Sequence, residues 1–415
     1  MSTATLERSP LGERWQDDPA QIVGGGANTE HFGGALEGVR KRRKVELFEM
    51  RDVDPDRVPH DVLYNLTEEE GRLAGERALG ERALVAYISL VPRYHLEAIE
   101  THLRRVGKGV LGFVVVAKPA VQTIEEMRQT DTIIAEVEEE RRELLGEDAD
   151  LLPAVLWVHE HYDRKKAWEV GRDALPQLME VLGRLESASV TIQESQTIES
   201  EGRQLAFEGG AIEDLSPHVI SIGLGVEEAF NRSERYSSSN KSSLHLERYR
   251  YDGTELEENV ETGFVIRGET TITDHATGES YELPFKWQGG KGLGEIADPS
   301  DPRANDKKAV ELNFVHPETG KRSTVTIDLQ HNTIKAPEEV SYLFPQTDFI
   351  DNGYGEVVER GLAGEDPAKS FQDWPTARKV IKLGHFIRRL GKTQPISYTQ
   401  DGRSLNDLSH EYQAA

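Results

Sequence analysis

Ala83-Leu84-Val85-Ala86-Tyr87-Ile88-Ser89-Leu90, then Pro92, then Val110-Leu111-Gly112-Phe113-Val114-Val115-Val116-Ala117, is the stretch that decides the fold class. Both runs are near-continuously apolar and end in turn-forming residues, the pattern of strands covered on both faces. Between them Pro92 opens a segment in which Leu96, Ile99, Leu103 and Val106 recur at helical spacing, and Gly107 and Gly109 end it. Strand, helix, strand in so short a span reads as helices packed on a sheet.

The same texture continues toward the C-terminus. Pro119 starts a second helix with an apolar stripe through Val121, Ile124, Val137 and Leu144. Ala154–Val158 is a third strand candidate. Trp168, Gly171, Leu175, Leu178 and Leu182 mark a third helix, which Pro176 bends or divides. Ser189–Ile192 is a fourth strand. Farther on, Gly263–Thr273, Glu279–Trp287, Ala309–Val315 and Ser323–Leu329 alternate apolar and polar side chains. Turn signals at Ala276-Thr277-Gly278 and Pro317-Glu318-Thr319-Gly320 divide them into antiparallel hairpins. The expected class is α+β: a mixed α/β layer, an antiparallel β insertion and extended terminal arms. The expected divisions are an N-terminal arm over 1–80, an α/β domain over 81–259, a β-rich domain or insertion over 260–335, and a helical segment with a C-terminal tail over 336–415. In the last of these, Thr376–Leu390 is the helix candidate.

The arm over 1–80 rests on sparse hydrophobes (Val45, Leu47, Phe48, Met50) and on the flexible points Gly24-Gly25-Gly26 and Gly33-Gly34. It also holds the one dense basic cluster, Arg40-Lys41-Arg42-Arg43-Lys44, whose candidate role is pairing with the acidic surface of another copy. The chain of 415 residues carries 74 acidic against 49 basic groups, a formal charge of −25. Such a surface repels a phosphate backbone and fits a salt-rich setting, so no sequence-specific nucleic-acid partner is expected. The absence of cysteine excludes disulfides, thiolate nucleophiles and cysteine-based metal sites. No apolar run reaches the length of a membrane span, and Met1 to Asp18 is too polar for a secretory signal, so the expected location is the cytoplasm or a virion-like particle assembled there.

His159-Glu160-His161-Tyr162-Asp163 follows the strand ending at Val158. Alternate residues of a strand share a face, so His159, His161 and Asp163 could converge on one divalent metal such as zinc. The pattern resembles the first half of the metallo-β-lactamase-fold motif, except that its sixth position is Arg164 rather than a ligand. It implies a metal-dependent hydrolase; the alternative is that these residues cap a strand and steady the next helix. Gly289-Gly290-Lys291-Gly292-Leu293-Gly294 has no helix start behind it and fails as a phosphate loop. Gly223-Leu224-Gly225 lacks the third glycine of a dinucleotide fingerprint, and no serine sits in a nucleophile elbow. Residues 198–249 resemble tailed-virus portal proteins in a helix, a short turn at Ile222-Gly223-Leu224-Gly225-Val226 and the segment Tyr236-Ser237-Ser238-Ser239. That resemblance, with the arms, implies a structural subunit of a large homo-oligomeric assembly, a virion head, portal or tail component. It would bind other copies of itself and neighbouring assembly proteins, without a cofactor.

Overall fold

The computed structural model describes residues 15, 17–24, 33–49, 58–194, 210–251, 261–291, 306–347, 349, 352–365 and 367–396. In chain order the elements are β1 (Ala20–Val23), α1 (Gly33–Arg40), β2 (Val45–Glu49), β3 (Val62–Asn65), α2 (Glu69–Leu79), β4 (Ala83–Ile88), α3 (His95–Gly107), β5 (Leu111–Ala117), α4 (Ile124–Leu145) and β6 (Leu156–His159). Next come α5 (Lys166–Asp173), α6 (Leu175–Leu182), β7 (Arg184–Glu194), α7 (Gly210–Asn231), β8 (Tyr236–Tyr251), β9 (Glu261–Asp274), β10 (Glu279–Lys291), β11 (Lys307–Val315), β12 (Arg322–Asp328) and β13 (Thr333–Lys335). The chain closes with α8 (Asn352–Leu362), α9 (Pro367–Ser370), β14 (Gln372–Asp373), α10 (Trp374–Leu390) and β15 (Lys392–Ile396). The α+β class holds. The chain divides into two compact units, one of residues 1–160 with 352–381 and the other of 161–351 with 382–415.

In the first unit a seven-stranded sheet has the order β3-β2-β1-β4-β5-β6-β14. Every neighbouring pair is parallel except β14 with β6. Val85, Tyr87, Phe113 and Val115 feed one apolar layer, and Ala86, Ile88, Val114 and Val116 the other. Burial on both faces explains why β4 and β5 read as unbroken apolar runs. The helix α4 begins at a complete capping box: Thr123 accepts from the Glu126 amide, and the Glu126 carboxylate accepts from the Thr123 amide.

The expected N-terminal arm is corrected here. Ala20–Val23, Val45–Glu49 and Val62–Asn65 are strands of this sheet, the first two buried among Leu36, Val39 and Val358 and the third half-buried at the sheet edge. Strands this short carry too few residues to show a period, and tertiary pairing rather than local pattern holds them. Residues 1–14 and 397–415, the outer parts of both expected arms, lie outside the described residues.

The second unit is an eight-stranded sheet, β13-β12-β11-β7-β10-β9-β8-β15. The two expected hairpins are present, and their turns place Gly278 and Gly320 at φ 73° and 67°, the region glycine enters without strain. They are not a separate domain, because β7, β8, β13 and β15 share their sheet. Across it lies α7, buried along almost its whole length. The expected turn at Gly223-Leu224-Gly225 is the middle of this helix. A Cβ on Gly223 would come within 2.3 Å of the Trp287 ring, and one on Gly225 within 2.8 Å of Trp168. These glycines permit close packing and break nothing. The segment Tyr236-Ser237-Ser238-Ser239 belongs to β8.

Candidate functional site

The strand order 3-2-1-4-5-6 in the first unit reverses direction between β1 and β4, which lie side by side in the register Ala20↔Val85. In open α/β sheets, ligands bind beyond the carboxyl ends of the strands at such a switch point, and a dinucleotide pyrophosphate meets the backbone of the turn after the first strand. Here β1 ends at Val23 and passes into Gly24, with φ +93°. The Gly24 amide donates to the Phe48 carbonyl at 2.9 Å. A Cβ there would stand 2.5 Å from the Ser89 carbonyl oxygen, so hydrogen alone fits. Glycine is therefore required for the tight turn out of the first strand at the switch point. Gly25 and Gly26 follow in sequence but lie outside the described residues.

Other strands end at the same edge. β2 ends in the buried Glu49. β5 ends at Ala117, followed by Lys118 and a cis peptide to Pro119. The buried His95 ring joins the loops after β4 and β5, with Nδ1 2.8 Å from the Pro119 carbonyl and Nε2 2.9 Å from that of Leu90. Burial pushes the His95 pKa down against those carbonyls, and a neutral ring donates to one of them at a time.

The second unit gathers a different set. His161 precedes a short 3₁₀ turn over Tyr162–Arg164, and His218 lies on α7 one turn after Asp214. The His161 and His218 rings are 4.4 Å apart by centroid, and Tyr162 meets His218 edge-on at 4.7 Å. Beside them Lys291, at the end of β10, is 1% exposed, with Nζ 2.7 Å from both Glu194 and Asp214. Lys308 on β11 pairs with Glu194 at 2.9 Å, and its Nζ lies 5.5 Å from the Tyr162 ring centroid. Burial alone would raise the Glu194 carboxyl, but Lys308 and Lys291 outweigh it and hold it ionised well below the usual range. Lys308 is likewise raised, Tyr162 and Glu194 overcoming the cost of its burial. The site thus offers two imidazoles beside a phenol and a lysine, on a fixed set of alternating charges.

The three residues predicted as metal ligands do not form a set. His159 Nδ1 shares a 2.7 Å hydrogen bond with the Tyr87 hydroxyl, and its ring meets Phe371 edge-on. Asp163 accepts from the Trp168 indole at 3.2 Å, which ties the short turn to α5. His161 goes to His218. Among the described residues, no group of three donors close enough for a metal includes His159 or Asp163. A strand-period reading failed because the strand stops at His159 and the chain turns.

The basic cluster is engaged within the first unit. Arg40 pairs with Asp61 at 3.0 Å, Arg42 with Glu359 at 3.0 Å and with Glu365, and Lys44 with Glu46 at 2.9 Å. Arg43 donates to the carbonyls of Asp18 and Ala363, while Lys41 is exposed. Sequence reasoning missed Gly24, Asp214, Glu194 and Lys291 as site residues and left His218 unplaced. The available signals were Gln21-Ile22-Val23 before a glycine run, and Asp214 and His218 four apart in an apolar helix.

No family model matches the chain, and no curated protein matches its sequence. Solved structures do. A glucose-6-phosphate dehydrogenase in complex with glucose-6-phosphate is similar over 95% of this chain and 97% of its own, with 16% identity and a TM-score of 0.61. The chain shares the fold of that structure. A myo-inositol dehydrogenase from Corynebacterium glutamicum matches over 93% of this chain and 98% of its own, with 11% identity and a TM-score of 0.54. The WlbA dehydrogenase from Bordetella pertussis, in complex with NADH and UDP-GlcNAcA, matches over 88% and 94%, with 14% identity and a TM-score of 0.52.

A dehydrogenase fold over nearly the whole chain overturns the portal resemblance, and with it the reading as a structural, virion-borne, non-enzymatic subunit. The Gly223 "turn" that carried that resemblance is helix. The expectation of no cofactor falls on the same fold, seen with NADH in WlbA. The hydrolase alternative loses its ligand set to the contacts of His159 and Asp163. Among the described residues, no helix is long and apolar enough to cross a membrane.

Proposed function

We propose that the protein is an NAD(P)-dependent dehydrogenase that oxidises a hydroxyl group of a sugar or sugar derivative. The observation that carries this reading is the parallel sheet with its switch point at Gly24, a position where a side chain has no room. The solved structures of the same fold support it, being dehydrogenases with sugar, sugar-phosphate or polyol names.

In this reading the first unit takes the dinucleotide. The turn at Gly24 would lie against the pyrophosphate. A bound nicotinamide supplies the hydride acceptor. Oxidation of an alcohol also releases a proton, which needs a base, and the imidazoles of His161 and His218 are the candidates. Lys308, kept charged by Glu194 and Tyr162, gives the substrate a fixed cation to orient an oxygen or an anionic group. The Lys291 bridge between Glu194 and Asp214 keeps α7 in register with β7 and β10.

The test is reduction of NAD⁺ or NADP⁺ by purified protein against a panel of aldoses, sugar phosphates and inositols, followed by nicotinamide absorbance. Turnover with at least one, lost in His218→Ala by 10²-fold or more, is expected. Absence of dinucleotide binding at millimolar concentration overturns the reading.

A further inference from the structure

Resting on that reading, we infer that the dinucleotide is NAD(H) rather than NADP(H), and that Glu49 makes the choice. In sheets of this order an acidic residue at the end of the second strand hydrogen-bonds the adenosine ribose, whereas a basic group nearby accommodates a 2′-phosphate. Glu49 is the last residue of β2, 25 positions after Gly24 and on the strand next to β1. The two strand ends are tied directly, since the Gly24 amide donates to the carbonyl of Phe48. Glu49 is 5% exposed, so its carboxyl is fixed by the surrounding chain and does not swing away into water. A dianionic phosphate set against a buried carboxylate loses both its hydration and its counter-charge.

Among the described residues, the dense basic cluster is at the wrong edge to offset this. Arg40 to Lys44 precede β2, and the Lys44 carbonyl accepts from the amide of Ala20, the first residue of β1. The cluster therefore lies at the amino ends of the parallel strands, opposite the switch point. Four of its five members are already held by Asp61, Glu359, Glu365, Glu46 or main-chain carbonyls. The sequence just after Glu49, residues 50–57, holds three acidic residues against two arginines, so it adds no net positive charge.

The experiment is direct binding of NADH and of NADPH to the full chain, read by quenching of tryptophan fluorescence without substrate. NADH binding at least tenfold tighter than NADPH is expected. Glu49→Gln, checked for an unchanged melting temperature, should bring the two affinities within threefold, mainly through weaker NADH binding. Equal or tighter NADPH binding by the wild-type chain overturns the assignment of the cofactor while leaving the dehydrogenase reading intact. If neither nucleotide binds, the dehydrogenase reading itself fails and takes this inference with it.

Discussion

Gly24 concentrates the argument at the residue scale. Its φ of +93° and the 2.5 Å from a built Cβ to the Ser89 oxygen leave no conformer for alanine. Gly24→Ala should cost about 2 kcal/mol or more, from left-handed backbone strain plus the shift of Ser89, and should abolish NADH binding. Chemical denaturation and fluorescence titration measure the two effects separately. Lys291 makes the opposite kind of prediction. Its ammonium is buried between Glu194 and Asp214, so Lys291→Met takes a buried cation from both carboxylates, leaving Glu194 to Lys308, and should destabilise the fold by about 3–5 kcal/mol. Replacing an exposed pair such as Arg72–Glu76 should move stability by less than about 1 kcal/mol.

At the scale of elements, α3 is fixed to the sheet by a polar network. Arg105 donates to Gln21 at 2.8 Å and lies 3.0 Å from His102 Nδ1, and Gln21 donates to Glu46 at 3.0 Å. Burial and then Arg105 push His102 down to about 3. Its folded pKa therefore lies below the value of about 6.5 in the unfolded chain. Between those two values the unfolded state binds a proton that the folded state refuses, so stability falls as pH is lowered, by about 1.4 kcal/mol per pH unit. No such loss from this group is expected above pH ~6.5. His102→Gln, which keeps an acceptor for Arg105, should flatten the slope between pH 6 and 4; urea unfolding across that range checks it. The elements also show which patterns are legible. The strands β4 and β5, the hairpins at Gly278 and Gly320 and the helix α10 are long or strongly patterned and could be read directly. The four-residue strands β1 and β3 and the all-round buried helix α7 could not, because neither length nor period marks them.

For the whole molecule the governing quantity is the formal charge of −25. Self-repulsion on this scale opposes compaction and is screened within about 10 Å at 0.1 M salt and about 3 Å at 1 M. The melting temperature should rise as KCl is raised from 0.1 to 1 M, and scanning calorimetry gives the result directly. Screening also weakens the exposed pairs of Arg42 with Glu359 and Glu365, so a fall in melting temperature would mean that specific pairs outweigh the general repulsion.

The sequence by itself determined the layered α+β class, the hairpins, the exclusion of cysteine chemistry and the acidic surface. Each of these follows from composition or from a local period that a single stretch carries. Tertiary structure alone decided the strand order β3-β2-β1-β4-β5-β6, and therefore where Gly24 and Glu49 stand. It also decided that His161 meets His218 rather than His159, and that Lys291 meets Asp214. Those pairings join residues dozens of positions apart through backbone hydrogen bonds and burial, and no local spacing encodes which distant partner a short strand or a buried charge will find.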